Sequence, residues 1–508
     1  MAARWILLVP ALAMSLIPRV FWAQSCVGLQ DEGSPTVAIT AAKVVPAGAF
    51  KEAGSLPEST NLPSFCRVTA RLKPTSDSDI GIEVWLPISN WNGKFLAVGS
   101  GGWGGSIAYG EMATALRRGY ATSATDDGNS GSGARFIMGH PDKFIDFAYR
   151  AEHEMTIEAK ALIKAFYGRD PNYSYWNGCS GGGREGLLQA ARYPDEFDGI
   201  IAGDPANVRR NAWALWLANR AFKNAAESIP SSKYSMIHTA VLDACDVNDG
   251  VKDGLIDNPE SCQIDFKSLK CSGGERADCL TARQVQTAET IISPATDAGG
   301  TVFFPRLEPG TELRWGRLAG GPAPADLFLD EFRYIVYQKP EWDWRTFDLA
   351  RDAAKAEAVD KDIDGLNPNL SAFAKHNGKL LLYHGWADQQ VAPLSTVQFY
   401  ESVLDATAER PHSDEWIRLF MVPGMAHCSG GEGPDTFDKI RAIEQWVEKG
   451  KAPTQIIASH RKADKIDRTR PLCPYPEVAR YKGTGSIDEA DNFSCASAGD
   501  VRSKVGHN

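Results

Sequence analysis

At 508 residues the chain exceeds what one hydrophobic core usually buries, so one large domain with an insertion, or two domains, is expected. A formal net charge of −10 argues against nucleic acid or an anionic membrane as the main partner, and 14 Trp with moderate charge argue against disorder. No repeat or long low-complexity tract is present, which argues against solenoids and arrays.

At the N-terminus, Arg4 precedes an apolar run from Trp5 to Ile17, and Ala23, Gln24 and Ser25 follow. The run is too short to span a bilayer and reads as a secretory signal peptide over residues 1–23, although Phe21 fits the preferred small residue poorly. The mature chain is therefore expected to be soluble and secreted or periplasmic, with no membrane span. Ten cysteines all follow the cleavage region, and an even number in an exported chain implies disulfides whose pairing the sequence leaves open. Zinc is disfavoured, because neither Cys-x-x-Cys nor His-x-x-x-His spacing occurs.

Further on, Lys94–Val98 reads as a strand followed by the glycine-rich loop Gly99-Ser100-Gly101-Gly102-Trp103-Gly104-Gly105. The loop lacks the Gly-Lys-Ser/Thr ending of a phosphate cradle and fails the dinucleotide spacing. It suits an oxyanion hole, which needs backbone N–H groups free of side-chain obstruction, with Gly102 the expected donor.

The next strand, Tyr173–Trp176, runs into Asn177-Gly178-Cys179-Ser180-Gly181-Gly182-Gly183-Arg184-Glu185-Gly186, and a helical pattern follows from Leu187 to Phe197. Ser180 thus occupies a Gly-x-Ser-x-Gly frame on a strand-to-helix turn, the setting of an exposed nucleophile. Gly181 would supply the second oxyanion N–H. His153, in Tyr149–His153, reads as helical and structural.

About 170 residues separate Ala206 from the strand at Lys379, far more than a βα connection needs. Residues 207–366 are read as an inserted lid between two catalytic segments, 24–206 and 367–508. Many of the lid's aromatic residues belong to its own core, while Trp315 and Phe328 are expected to wall an acyl pocket. Lys379–Tyr383 is an apolar run without polar alternation, as in a parallel strand buried on both faces. Asp388 lies just past its carboxyl end, where open α/β sheets place functional groups, and His384 is expected to line the pocket. Ile417–Val422 is another strand, leading into Pro423-Gly424-Met425-Ala426-His427-Cys428-Ser429-Gly430-Gly431. The order Ser180, Asp388, His427, each just after a strand, is that of an α/β-hydrolase: nucleophile, acid, base on a mostly parallel sheet.

Cys179 precedes the serine and Cys428 follows the histidine. With Gly203-Asp204-Pro205-Ala206, Tyr383-His384-Gly385-Trp386-Ala387-Asp388 and Gly424-Met425-Ala426-His427-Cys428, this set resembles the tannase and feruloyl esterase family, which includes mono(hydroxyethyl) terephthalate hydrolases. The resemblance runs from about Cys26 to Cys495. It implies a serine esterase acting on small-molecule or plant-cell-wall esters of aromatic acids, without an organic cofactor. It also implies a Cys179–Cys428 disulfide joining the two catalytic loops, with Cys26–Cys66, Cys245–Cys262, Cys271–Cys279 and Cys473–Cys495 as local staples. A structural Ca2+ is implied in the lid, held by the side chains of Asp246, Asp249 and Asp253 and the carbonyls of Val251 and Leu255. The spacing of that acidic stretch is not an EF-hand loop. Rival readings are another hydrolase or acyltransferase on the same machinery, or a binding protein whose chemistry has died.

Overall fold

The computed structural model describes residues 24–51, 61–224, 227–297, 299–318, 323–407 and 413–497, so the segment read as a signal peptide lies outside the described residues. The strands of the first segment are β1 (Val37–Val45), β2 (Phe65–Leu72), β3 (Ile80–Pro87), β4 (Lys94–Val98), β5 (Ala121–Thr125), β6 (Tyr173–Cys179) and β7 (Gly199–Gly203). A short antiparallel ribbon follows, β8 (Ala295–Thr296) with β9 (Val302–Phe304), and then come β10 (Lys379–Gly385) and β11 (Ile417–Val422).

One nine-stranded sheet runs in the order β1-β2-β3-β5-β4-β6-β7-β10-β11. The pairs from β5 through β11 are parallel, while β1, β2 and β3 join antiparallel at one edge. The central strands are apolar on both faces because helices cover both. Every residue of β7 and of β10 is buried, and a buried leucine such as Leu381 contributes on the order of 2 kcal/mol. On one face Trp176, Leu187, Leu380 and Leu382 share a core with the Ala151–Tyr167 helix, and on the other Tyr175, Leu381, Tyr383 and Phe420 meet Trp446. This is the α/β-hydrolase arrangement. Consecutive parallel strands leave their carboxyl ends on one edge, and the connections after β4, β6, β7, β10 and β11 carry the groups described below.

Between β7 and β10 the chain builds a separate layer with its own core, including Trp213, Phe304, Trp315, Phe328, Phe332 and Trp344. Its longest helices are Arg209–Ala221, Tyr234–Cys245, Ala282–Ile291 and Leu349–Asp360. Polar contacts tie this layer back to the sheet domain. Arg314 Nη1 meets Glu432 Oε2 at 2.8 Å, and Trp103 Nε1 donates to Leu327 O at 2.9 Å. Beyond β11, the hairpins β12 (Thr436–Phe437), β13 (Ile456–Lys462), β14 (Lys465–Leu472) and β15 (Glu477–Tyr481) with β16 (Phe493–Ser497) form a carboxy-terminal flap. Its Cys473, Ala479 and Phe493 close over Val251 of the acidic lid loop.

All ten cysteines are paired: Cys26–Cys66, Cys179–Cys428, Cys245–Cys262, Cys271–Cys279 and Cys473–Cys495. Among the described residues no helix is long and apolar enough to cross a membrane.

Candidate active site

Strand β6 delivers Ser180 into a turn that only a few side chains tolerate. Ser180 has φ 59° and ψ −117° and caps the Gly181–Arg192 helix, a backbone state that costs on the order of 1–3 kcal/mol for a residue with a Cβ. The turn holds because Ser180 N–H donates to Gly203 O at 2.9 Å and Ala206 N–H donates back to Ser180 O at 3.0 Å. A Cβ on Gly178 would lie 2.3 Å from Gly182 O, so the frame admits no side chain there.

Asp388 follows β10 and is fully buried. Its Oδ1 accepts N–H from Gln390 at 2.6 Å and Val391 at 3.0 Å, and its Oδ2 accepts His427 Nδ1–H at 2.7 Å. Burial by itself would raise its pKa, but the facing His427 and His384 outweigh that and hold the carboxyl below the usual carboxylate range. His427 sits on the loop after β11, and Cys428 beside it adopts φ 64°. The Cys179–Cys428 bond, with Cα atoms 5.9 Å apart, joins this loop to the serine turn across 249 residues of sequence.

Gly102 has φ +61°, and its N lies 3.4 Å from where a Cβ on Gly181 would stand, so the two glycines face each other closely. The loop is pinned there by Gly182 N–H to Ser100 O at 2.8 Å. Two spaces open beside it. A cleft of about 510 Å³ is lined by Gly102, Trp103, Arg135, Leu327, Arg333 and Tyr334. A slot of about 30 Å³ lies between Gly102, Gly181, Asn207, Arg210 and Asn211.

Three residues expected to line the pocket do not. His384 is fully buried behind Asp388: Nε2 reaches Asp388 Oδ2 at 3.1 Å, and Nδ1 bonds Thr396 Oγ1 at 2.8 Å. Its place two residues before the turn points its ring under the sheet edge rather than into the cleft. Trp315 lies inside the lid core, with Nε1 on Thr311 Oγ1 at 3.0 Å and its ring against Tyr234 and Phe266. Phe328 also faces the lid interior, because the short Asp326–Asp330 helix turns its neighbour Leu327 toward Gly102 instead. His153 bonds Glu196 Oε1 at 2.6 Å and stacks on Tyr193, a structural role.

Two groups at the site were not among the expected site residues. Asp204, at the end of β7, accepts Gly385 N–H at 2.8 Å and Cys428 N–H at 3.1 Å and lies 3.5 Å from His384 Nε2. It thereby ties the end of β10 to the loop after β11; the Gly-Asp-Pro sequence after a buried strand is the only trace of it. Arg210 is buried in the slot with Nε and Nη1 unpartnered. Burial brings its pKa down to about 10, so it remains cationic at neutral pH.

The acidic lid loop is folded around its own carboxylates. Asp246 accepts N–H from Asp253 at 3.0 Å and Gly254 at 2.9 Å, Asp249 from Val251 at 3.0 Å, and Asp253 from Leu255 at 3.1 Å. Asp249 and Asp257 each keep one buried oxygen without a partner, and Asp253 is paired to the buried Arg470. Oxygen-only donors with two orphaned carboxylate oxygens fit a hard divalent cation. Asp257 was absent from the expected ligand set.

The "Tannase and feruloyl esterase" family profile matches residues 66–313 and 317–496. An uncharacterised esterase of Xanthomonas campestris is 37% identical over 540 residues, covering 95% of this chain and 92% of the relative. A probable feruloyl esterase B-1 of Aspergillus fumigatus is 34% identical over 464 residues, covering 87% and 88%. Among solved structures, feruloyl esterase B from Aspergillus oryzae superposes with a TM-score of 0.87 at 32% identity, covering 93% of this chain and 99% of that one. Tannin acyl hydrolase from Aspergillus niger, at 22% identity and a TM-score of 0.77 over 92% of each chain, shares the fold. The chain belongs to the tannase and feruloyl esterase family and, like its relatives, is a carboxylic ester hydrolase.

Proposed function

We propose that this esterase cleaves carboxylic esters of aromatic, phenolic acids through Ser180, His427 and Asp388. The observation that carries the reading is the 2.7 Å bond from His427 Nδ1 to Asp388 Oδ2, on a loop cross-linked to the turn that presents Ser180. That bond fixes the tautomer in which Nε2 is free to accept a proton. His427 Nε2 takes the Ser180 proton as Oγ attacks the ester carbonyl, and Asp388 stabilises the imidazolium. Gly181 and Gly102 N–H groups meet the oxyanion, each worth about 3 kcal/mol in such sites. His427 then protonates the departing alcohol, and water activated by the same nitrogen hydrolyses the acyl-enzyme. The named activity of the feruloyl esterase relatives supports an aryl acid as the acyl group. Wild type is expected to release free acid from at least one of methyl ferulate, methyl gallate, methyl p-coumarate and methyl benzoate, with no product from Ser180→Ala. Acyl transfer to a second alcohol in preference to water, or turnover by Ser180→Ala, would sink the reading.

The Cys179–Cys428 bond acts in this scheme as a spacer between nucleophile and base. Replacing both cysteines by serine is expected to lower kcat by about 10- to 100-fold, because ångström-scale misplacement of the base is costly. Cross-link removal also costs stability, by several kcal/mol at most on the chain-entropy estimate. Since Asp204 still holds the backbone N–H of position 428, the variant is expected to fold; unchanged turnover with a lower Tm would contradict the spacer role.

The lid loop is proposed to hold Ca2+ through Asp246, Asp249, Asp253 and Asp257, with carbonyls from Val251 and Leu255. The ion's role there is structural: its charge offsets crowded carboxylates that burial and mutual repulsion otherwise disfavour, Asp249 being pushed up to about 9. Chelation is expected to lower Tm by several degrees, reversed by added calcium, by linkage of about 3 kcal/mol at a hundredfold excess over Kd. Export through residues 1–23 accords with the five disulfides and is tested by amino-terminal sequencing of the mature protein.

A further inference from the structure

Three acidic side chains outside this mechanism, Asp127, Glu152 and Glu185, lie buried together, with one carboxyl oxygen of each within 4.8 Å of the others. They come from the turn after β5, the Ala151–Tyr167 helix and the Gly181–Arg192 helix. Two of them, Glu185 and Asp127, meet Ser100, the second residue of the glycine-rich loop. Ser100 N–H donates to Glu185 Oε2 at 3.0 Å, its Oγ reaches Glu185 Oε1 at 2.7 Å, and the same Oγ also touches Asp127 Oδ2. Ser100 O in turn receives Gly182 N–H. The loop carrying Gly102 is thus attached to the nucleophile helix through Ser100.

Counting protons assigns the charge states. A serine hydroxyl donates once, yet Ser100 Oγ lies between two carboxyl groups, so one of them must bring the second proton. Glu185 accepts twice from Ser100 and has Arg184 Nη2 at 3.8 Å, which makes it the anion. Asp127 is the acid, and its Oδ1 has no partner. Burial first, and the Glu185 charge second, push its pKa well up. Glu152 has neither oxygen partnered, and burial pushes its pKa well up. The charged or titratable groups facing Asp127 are Glu185 and Arg184 from the nucleophile helix, Glu152 from the neighbouring helix, and Asp126 beside it.

We propose that Asp127 is a positioning residue that works as a carboxylic acid: the chain from Asp127 O–H to Ser100 Oγ–H to the Glu185 carboxylate sets the oxyanion loop against Gly181. The proposal rests on Gly102 and Gly181 being the oxyanion donors. Once Asp127 loses its proton, two anions face one hydroxyl, the chain breaks, and the loop loses its fixed distance from the serine turn. The expected signature is an alkaline fall in kcat, with KM little affected, that does not arise in the triad.

The test compares kcat and KM of wild type, Asp127→Asn and Asp127→Ala on an aryl methyl ester between about pH 6 and pH 10. Asparagine keeps a donor toward Ser100 and cannot titrate. It is expected to retain kcat within about threefold at neutral pH and to lack the alkaline fall, whereas alanine loses about 10- to 100-fold in kcat with little change in KM. The wild type should also show an infrared carbonyl band of a protonated carboxyl that Asp127→Asn lacks. Equal losses in both variants, an alkaline fall shared by wild type and Asp127→Asn, or a wild type without that fall would overturn the proposal. So would a chelator-sensitive kcat with no such band, which would put a cation where the protons are assigned. If wild type hydrolyses no ester, the functional reading fails by itself, while the infrared comparison still reports on Asp127.

Discussion

Ser180→Ala is expected to lower kcat on aryl esters by about a million-fold, while the melting temperature moves by no more than about 2 °C. The turn that holds position 180 is built from backbone bonds to Gly203 and Ala206 and from the missing Cβ of Gly178, none of which the hydroxyl supports. Alanine keeps the same Cβ in the same strained backbone, so folding is indifferent to the change. What disappears is the covalent route. The oxyanion donors and the cleft remain, and they account for any residual acceleration over water. Circular dichroism with a progress curve on methyl ferulate checks both halves; a loss below about a hundredfold would remove serine from the nucleophile's role.

Asp388→Asn is expected to cost about 10⁴-fold in kcat, again in a folded protein. The two oxygens of Asp388 face different donors: backbone N–H groups of Gln390 and Val391 on one side, His427 and His384 on the other. A carboxylate satisfies all four. An amide has one acceptor and one donor end, and the backbone N–H pair claims the acceptor. Its NH₂ then points at His427 Nδ1, which must accept, so the ring proton moves to Nε2 and the base can no longer take the Ser180 proton. His384 loses an acceptor as well. A variant retaining more than about a tenth of kcat would show that the 2.7 Å bond is not what orients His427.

How much was legible beforehand follows from range. The strands ending at Val98, Cys179, Gly385 and Val422 announce themselves locally, since both-face burial forces unbroken apolar runs and the functional residue comes right after each. Ser180, Asp388, His427 and Gly102 therefore lie where the sequence places them, each in the loop after its strand. Asp204 could not be given its place, because its partners come from the end of β10 and the loop after β11, and His384 could not because the strand pattern does not say which way its ring turns. Arg210 is a similar case: an arginine at the start of an amphipathic helix is ordinarily solvated, and only the packing around this helix leaves this one buried. Trp315 and Phe328 failed for a different reason. An aromatic residue in a 170-residue insertion serves a core or a wall equally well until the insertion's own packing is known, and here that packing claims both.

The Cys179–Cys428 bond has a consequence for how the molecule withstands cutting. The whole lid lies between the two bonded residues, so any single cleavage from 207 to 366 leaves both pieces covalently joined at the base of the serine turn. A nicked molecule would migrate as one band until a reductant is added, then as two. A protease that reaches an exposed loop between 207 and 366 would thus sever the chain without separating Ser180 from His427.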